Sequence, residues 1–157
     1  MAAPGFETPD TRNVTTEIRF YHNAPDRLRV ACVLSTKARA GGHRISVFAP
    51  DGGIARQFDQ MLWGLQPLSF IPHVAADSPL AAETPVVIGS RLDTLPHEDV
   101  LINLGDELPD GFERFALVLE IVGPTDPERQ AARGRYRHYK ERGYTLSAHD
   151  LAQRSGE

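Results

Sequence analysis

Three short, predominantly apolar segments place the strongest constraint on how this chain can fold. They occupy residues 85–89, 100–104 and 116–122 and are rich in Val, Leu and Ile. A strand that is apolar at nearly every position needs cover on both faces, as the inner strands of a parallel sheet do. The sequence therefore predicts a parallel sheet with helices on both sides.

The first half of the chain alternates strand patterns with helix patterns. Residues 18–22 and 45–49 have the composition of short strands, and each is followed by apolar residues at helical spacing. Each helix is predicted to open at an aspartate and to end at a glycine, from Asp26 to Gly41 and from Asp51 to Gly64. Two successive β–α units are expected here.

The second half continues the alternation after an irregular connection. Prolines and small residues predict that connection over residues 67–84. A short helix is expected around residues 110–115, and a final helix is expected from the prolines near residue 124 to Gly143. The predicted fold class is a single-domain α/β protein with an open, mostly parallel sheet covered by helices on both faces.

Size and composition are those of one globular domain. The chain has 157 residues, of which 41% are hydrophobic and 24% charged, and no segment has the apolar length of a membrane span. We predict a disordered N-terminal extension over 1–16, an α/β domain over 17–148 and a C-terminal tail over 149–157. The single cysteine, Cys32, and the absence of an export signal at the N-terminus favour the cytoplasm.

The turns that follow the predicted strands carry weak signals for catalysis. The first β–α turn, residues 22–26, contains no glycine, which argues against a phosphate-binding loop there. Asp51-Gly52-Gly53 could direct backbone N–H groups at an anion but lacks the following Lys and Ser/Thr. Asp106 and Glu107 could hold a metal or act as a general acid, and a solvated loop explains them as well. We expect no enzyme activity, no cofactor and no metal.

The final predicted helix carries a concentrated positive charge. Residues 128–142 hold six Arg or Lys residues against Glu128 and Glu141, although the whole chain has a net charge of -4. Helical spacing aligns four cations as a stripe beside an aromatic edge that includes Tyr136. The cations of this stripe are Arg129, Arg133, Arg137 and Lys140. A solvated face remains one interpretation; the other is a site for an acidic peptide ending in an apolar side chain.

Three sequence blocks resemble one bacterial family. They are Phe20-Tyr21 followed by a helix; Leu62-Trp63 with the Ser-Phe-Ile-Pro-His of residues 69–73; and residues 133–140, RGRYRHYK, with GYTL at 143–146. In order and spacing they are similar to the chi subunit of DNA polymerase III, over about residues 17–148. The resemblance implies a Rossmann-like fold without nucleotide chemistry, in an adaptor that accompanies the clamp loader.

The resemblance also implies two partners and their sites. One is the acidic, phenylalanine-ended C-terminal tail of the single-stranded-DNA-binding protein, and the other is the psi subunit. Carried over by position, tail binding is expected at Val122, Arg133, Tyr136, Arg137, Lys140 and Leu146. Trp63 and Phe70 match motifs close to the psi-binding surface, with core packing as the competing interpretation.

Two other functions stay open on the sequence. The cationic helix could bind single-stranded nucleic acid directly, with Tyr136 or Tyr139 stacking on bases. A nucleotide-dependent enzyme could use the Asp51-Gly52-Gly53 or Asp106-Glu107 turns. Under the adaptor hypothesis, contact with nucleic acid is indirect.

Overall fold

A seven-stranded sheet organises the computed structural model, which describes residues 16–65 and 71–152. The strands are β1 (Glu17–His22), β2 (Ile45–Phe48), β3 (His73–Ala75), β4 (Val86–Gly89), β5 (Val100–Asn103), β6 (Leu117–Ile121) and β7 (Thr145–Asp150). The helices are α1 (Arg27–Ala40), α2 (Gly52–Leu65) and α3 (Asp126–Glu141), with single 3₁₀ turns at Ala81–Glu83, Leu92–Thr94 and Phe112–Arg114.

All neighbouring strands of the sheet run parallel, in the order β3-β4-β2-β5-β6-β1-β7. The three apolar segments of the sequence become β4, β5 and β6, each with a strand on both sides. Their residues contribute to an apolar core on each face of the sheet, which explains why they are apolar at nearly every position. The predicted parallel α/β architecture is confirmed.

Each face of the sheet has its own apolar core. On one face, α1 and α2 cover inward residues such as Val47 and Ile102, and Cys32 of α1 is fully buried there. Burial raises the pKa of the Cys32 thiol to about 12, so the thiol stays protonated and packs as a small apolar group. On the other face, α3 and the 3₁₀ turns cover Phe20 and Val118.

Two strands were not predicted. β3 lies within the segment expected to be irregular, and it has only three residues. β7 follows α3 and ends at Asp150, two residues beyond the predicted domain end at 148. Both are edge strands, with a partner on one side only, so they lack the continuous apolar pattern of the inner strands. The short helix expected around residues 110–115 is a 3₁₀ turn.

The chain termini fall largely outside the described residues. The predicted extension over 1–16 is described only at Thr16, which is buried and donates a hydrogen bond from its hydroxyl to the Phe115 carbonyl over 2.7 Å. Residues 153–157 of the predicted tail are likewise outside the described range. No helix of the described residues has the length and apolarity to cross a membrane.

The helices open as their capping residues predict. Asp26 accepts hydrogen bonds from the backbone N–H groups of Leu28 and Arg29 at the start of α1. At the start of α3, Thr125 and Glu128 form a capping box, in which each side chain meets the other residue's backbone N–H. Gly123 makes room for this arrangement, since a Cβ there would overlap the Glu128 carboxylate. This cap sets the direction in which α3 leaves β6.

Candidate functional site

A buried ion pair anchors α3 to the sheet. Arg135 lies 3.0 Å from Glu120, whose side chain is completely buried in β6. The Tyr139 hydroxyl donates to the same carboxylate over 2.7 Å, and the Asn103 amide donates over 3.1 Å. The sequence pattern places Arg135 among the helix cations, but its charge is directed inward and is neutralised by Glu120.

Burial dominates the electrostatics of this cluster. It raises the pKa of Glu120 above its ordinary value, while Arg135 and the hydrogen bonds from Tyr139 and Asn103 pull that pKa back down. Burial and the neighbouring Glu120 charge also raise the pKa of Tyr139, which keeps its hydroxyl a donor. Because every group in the cluster has a partner, the cluster fixes the rotation of α3 about its axis. That rotation decides which helix residues face outward beside the sheet.

A surface pocket of about 230 Å³ lies where α3 crosses the carboxyl ends of β1 and β6 beside β7. We call it the α3 pocket. Its lining residues are Phe20, His22, Asn23, Val122, Arg129, Ala132, Arg133, Tyr136 and Ala148. Helical spacing brings Ala132 and Tyr136 to one side of α3, one turn apart, and strand alternation brings Phe20 and His22 to one face of β1. The Phe20 and Tyr136 rings meet edge to face, 5.2 Å between centroids.

Cations stand at the rim of this apolar recess. Arg129 and Arg133 are exposed, one helical turn apart, and both line the pocket. Arg129 also lies 3.6 Å from the exposed carboxylate of Asp126. Across residues 16–65 and 71–152, the ion pairs include none to Arg133. The Arg133 guanidinium is therefore available to an anionic ligand.

Of the residues expected to bind an acidic tail, the pocket brings three together: Val122, Arg133 and Tyr136. Arg137 and Lys140 are exposed further along α3 and do not line the recess. Leu146 lies on β7, is paired with Ile18 of β1, and packs against the apolar core on the face of the sheet that α3 covers. The pocket therefore includes only part of the predicted set of tail-binding residues.

The remaining lining residues were missed as site residues. Arg129 was placed in the cationic stripe but not at the site, and the i, i+4 spacing to Arg133 is the signal that could have found it. Phe20 and His22 share a face of β1, which alternation could have revealed. Ala148 carried no signal, because β7 was not predicted and alanine is uninformative there.

Trp63, expected near a second interface, is half exposed on α2. Its ring lies 4.5 Å from the ring of His73, which is buried beside Asp59 at 3.2 Å. Because Trp63 is 51% exposed, it is not a fully buried core residue. Phe70, the other residue expected there, lies outside the described residues.

The two turns considered for catalysis differ in their contacts. Asp51 accepts hydrogen bonds from the backbone N–H groups of Gly53, at 2.8 Å, and Ile54, so its carboxylate stands where an anion would bind. Asp106 is exposed and lies 3.9 Å from Arg27. In the part of the chain that the structure describes, no three His, Cys, Asp or Glu side chains come together as a metal site requires.

Close packing is also seen at the topological switch point of the sheet. The connections after β2 and β5 leave in opposite directions, which is where doubly wound proteins bind nucleotides. There Gly105 packs so closely that a Cβ would lie 3.1 Å from Pro50 and 3.3 Å from Phe48. The α3 pocket, by contrast, combines an apolar lining with two exposed arginines, Arg129 and Arg133, at its rim.

The fold and the pocket together define a parallel α/β domain with an arginine-rimmed apolar pocket on its last helix. Comparison with known proteins identifies the family to which the chain belongs. The family model described as DNA polymerase III chi subunit, HolC matches residues 15–147. The chain belongs to the DNA polymerase III chi subunit family.

Curated relatives agree with the family model. The DNA polymerase III subunit chi of Pseudomonas aeruginosa is 38% identical over 125 residues, covering 80% of this chain and 87% of the relative. The subunit chi of Haemophilus influenzae is 29% identical, over 78% of this chain and 85% of the relative. That of Escherichia coli is 26% identical, over 76% and 82% respectively.

Proposed function

We propose that this chain is a non-catalytic accessory subunit that links the clamp-loader complex of the replicative polymerase to the single-stranded-DNA-binding protein. The contact is made by the acidic, phenylalanine-ended C-terminal tail of that protein, which binds in the α3 pocket. The observation that carries this proposal is an apolar recess with Arg129 and Arg133 at its rim.

The size and lining of the pocket suit one aromatic side chain. An apolar cavity of about 150 Å³ can hold a benzene molecule, and the α3 pocket measures about 230 Å³. Phe20, Val122, Ala132 and Tyr136 provide an apolar surface for the ring. Burying a phenylalanine side chain contributes about 1.5–3 kcal/mol. The pocket can therefore supply a large share of the affinity of a short peptide.

Charge supports an acidic ligand. With Arg135 paired internally, residues 128–142 still present five cations against two carboxylates, on a chain whose net charge is -4. Guanidinium groups bind carboxylates through two parallel hydrogen bonds. Arg133 is suited to the terminal carboxylate, which lies next to the phenylalanine ring, and Arg137 and Lys140 extend the cationic surface toward the aspartates that precede it.

We expect the Arg133→Ala variant to bind a synthetic Asp-rich peptide with a C-terminal phenylalanine roughly tenfold more weakly than the parent does. A hydrogen bond to a charged group contributes about 1.5–3 kcal/mol, which sets this magnitude. The matched control is Arg142→Ala, which removes an exposed cation at the C-terminal end of the same helix, outside the pocket. Isothermal titration calorimetry at low and moderate salt measures both affinities.

Equal weakening by the two variants would contradict the site assignment, because it would reduce the effect to net charge. An oligonucleotide titrated in parallel tests the alternative function. Two results together would make α3 a nucleic-acid surface rather than a peptide site. The oligonucleotide would bind the parent more tightly than the peptide does, and it would bind the Arg133 variant more weakly than it binds the parent.

We further propose that Trp63 and Phe70 contribute to binding of the psi subunit. Its support is the half-exposed Trp63 ring, held against His73, since exposed aromatic residues are frequent anchors of protein interfaces. Trp63→Ala is expected to weaken psi binding at least tenfold in a pull-down or titration while leaving tail-peptide affinity unchanged. If Trp63→Ala bound psi as tightly as the parent does, the psi interface would lie elsewhere on the protein.

A further inference from the structure

Asn23 has an unusual backbone at the edge of the α3 pocket. It follows β1 and, among the described residues, is the non-glycine residue with a positive φ, 59°. Left-handed backbone favours glycine and strains other residues, although asparagine tolerates it better than most. Backbone geometry alone would be satisfied by glycine at this position. The asparagine side chain is therefore the feature that needs an explanation.

The Asn23 side chain bridges two elements. Its amide nitrogen donates to the Asp150 carboxylate on β7 over 2.9 Å, and its amide oxygen accepts from Arg129 on α3 over 3.4 Å. Arginine can only donate and an ionised aspartate can only accept, so the chemistry of the two neighbours fixes which end of the amide faces each. Asp150 thereby orients the amide, and the amide oxygen faces Arg129.

This bridge gives the Arg129 guanidinium a second partner, at the carboxyl end of β1. The other acidic neighbour, Asp126, is exposed one turn earlier on α3 and draws the guanidinium along the helix. The Asn23 oxygen draws it across to the carboxyl end of β1, where both residues line the pocket. An arginine held at a rim loses less side-chain freedom when a ligand binds.

We infer that Asn23 is a positioning residue of the α3 pocket: its amide, oriented by Asp150, holds the Arg129 guanidinium at the pocket rim for an anionic group of the ligand. The inference rests on the proposed function, because it assumes an acidic peptide in the pocket. It assigns Asn23 no contact with the peptide itself.

Asn23→Gly separates this role from a structural one. Glycine keeps the left-handed backbone without strain, so the variant stays folded, but it removes the amide. In the parent background the affinity for the Asp-rich, phenylalanine-ended peptide is expected to fall roughly threefold or more, and in an Arg129→Ala background the same change is expected to have no further effect. An affinity equal to that of the parent, or an equal fall in both backgrounds, overturns the inference.

A second measurement needs no peptide. The side-chain N–H signals of Arg129 in an ¹⁵N NMR spectrum, assigned by their loss in Arg129→Ala, report whether the guanidinium is held. Asn23→Gly is expected to speed their exchange with solvent, and unchanged exchange contradicts the inference. If the parent failed to bind the peptide while these signals responded as expected, the proposed function would fail and the positioning of Arg129 by Asn23 would stand.

Discussion

Replacing Arg135 with methionine is expected to lower the free energy of unfolding by about 3–5 kcal/mol at neutral pH. The change leaves the Glu120 carboxylate fully buried without its counter-ion, and breaking a buried pair in this way costs about that much. Methionine retains most of the apolar stem, so packing is largely preserved. Denaturant unfolding measures the difference. Arg137→Met, an exposed arginine two residues further along α3, is the matched control and should change stability by less than about 0.5 kcal/mol.

The pH dependence of the Arg135→Met variant has a definite sign. Arg135 lowers the pKa of Glu120, so its removal raises a pKa that burial has already raised. The folded state then keeps a proton that the unfolded chain releases near pH 4.3, the ordinary value for glutamate. Stability is therefore lost as the pH rises from that value through the folded-state pKa. The deficit relative to the parent should shrink as the pH is lowered toward 4.3.

A second-site change tests the same explanation. Glutamine at position 120 carries no charge, and its amide oxygen can still accept from Tyr139. The double variant Glu120→Gln, Arg135→Met should therefore recover a large part of the lost stability. If the double variant were no more stable than Arg135→Met alone, the loss would come from packing rather than from an unpaired charge.

Filling the α3 pocket from within is expected to weaken peptide binding strongly without altering any charge. Ala148 lines the pocket from the edge strand β7 and is itself exposed. A phenylalanine at this position can place its own ring in the recess and compete with that of the peptide. Burial of one such ring contributes about 1.5–3 kcal/mol. Ala148→Phe should therefore lower the affinity for the Asp-rich, phenylalanine-ended peptide roughly tenfold to a hundredfold.

Thr145→Phe is the matched control for Ala148→Phe. Thr145 is exposed on the same strand, an odd number of residues away, so alternation directs its side chain to the other face of β7. Calorimetric titration of both variants compares the same added ring at two positions. If Ala148→Phe and Thr145→Phe bound the peptide with equal affinity, the peptide would bind outside the pocket.

The inner part of the fold could be predicted because burial imposes a strong pattern. β4, β5 and β6 are apolar at nearly every position, and the helices open at recognisable capping residues such as Asp26. The edge strands could not be predicted in the same way. β7 has exposed residues at Thr145 and Ala148 and half-buried residues at its other positions, so it shows neither a continuous apolar run nor a two-residue alternation. Its pairing with β1 is a contact over more than 120 residues of sequence.

The candidate site was only partly predictable for a related reason. Charge and helical spacing along α3 indicate Arg133 and Tyr136, which are local in sequence. They do not show that Arg135 points inward, because the partner that neutralises it, Glu120, lies on another element within an apolar strand. Asn23 and Ala148 join the pocket only through the order of the strands, and no local pattern marks them.

We propose that the α3 pocket binds a peptide by its terminal aromatic side chain, with cations holding the acidic groups. The most direct measurement is calorimetric titration of the parent protein with two Asp-rich peptides that differ only in the C-terminal phenylalanine. We predict that the phenylalanine-ended peptide binds with an affinity that falls as salt is raised, and that the shortened peptide binds at least about tenfold more weakly. Equal affinities for the two peptides would show that the pocket does not bind the terminal phenylalanine.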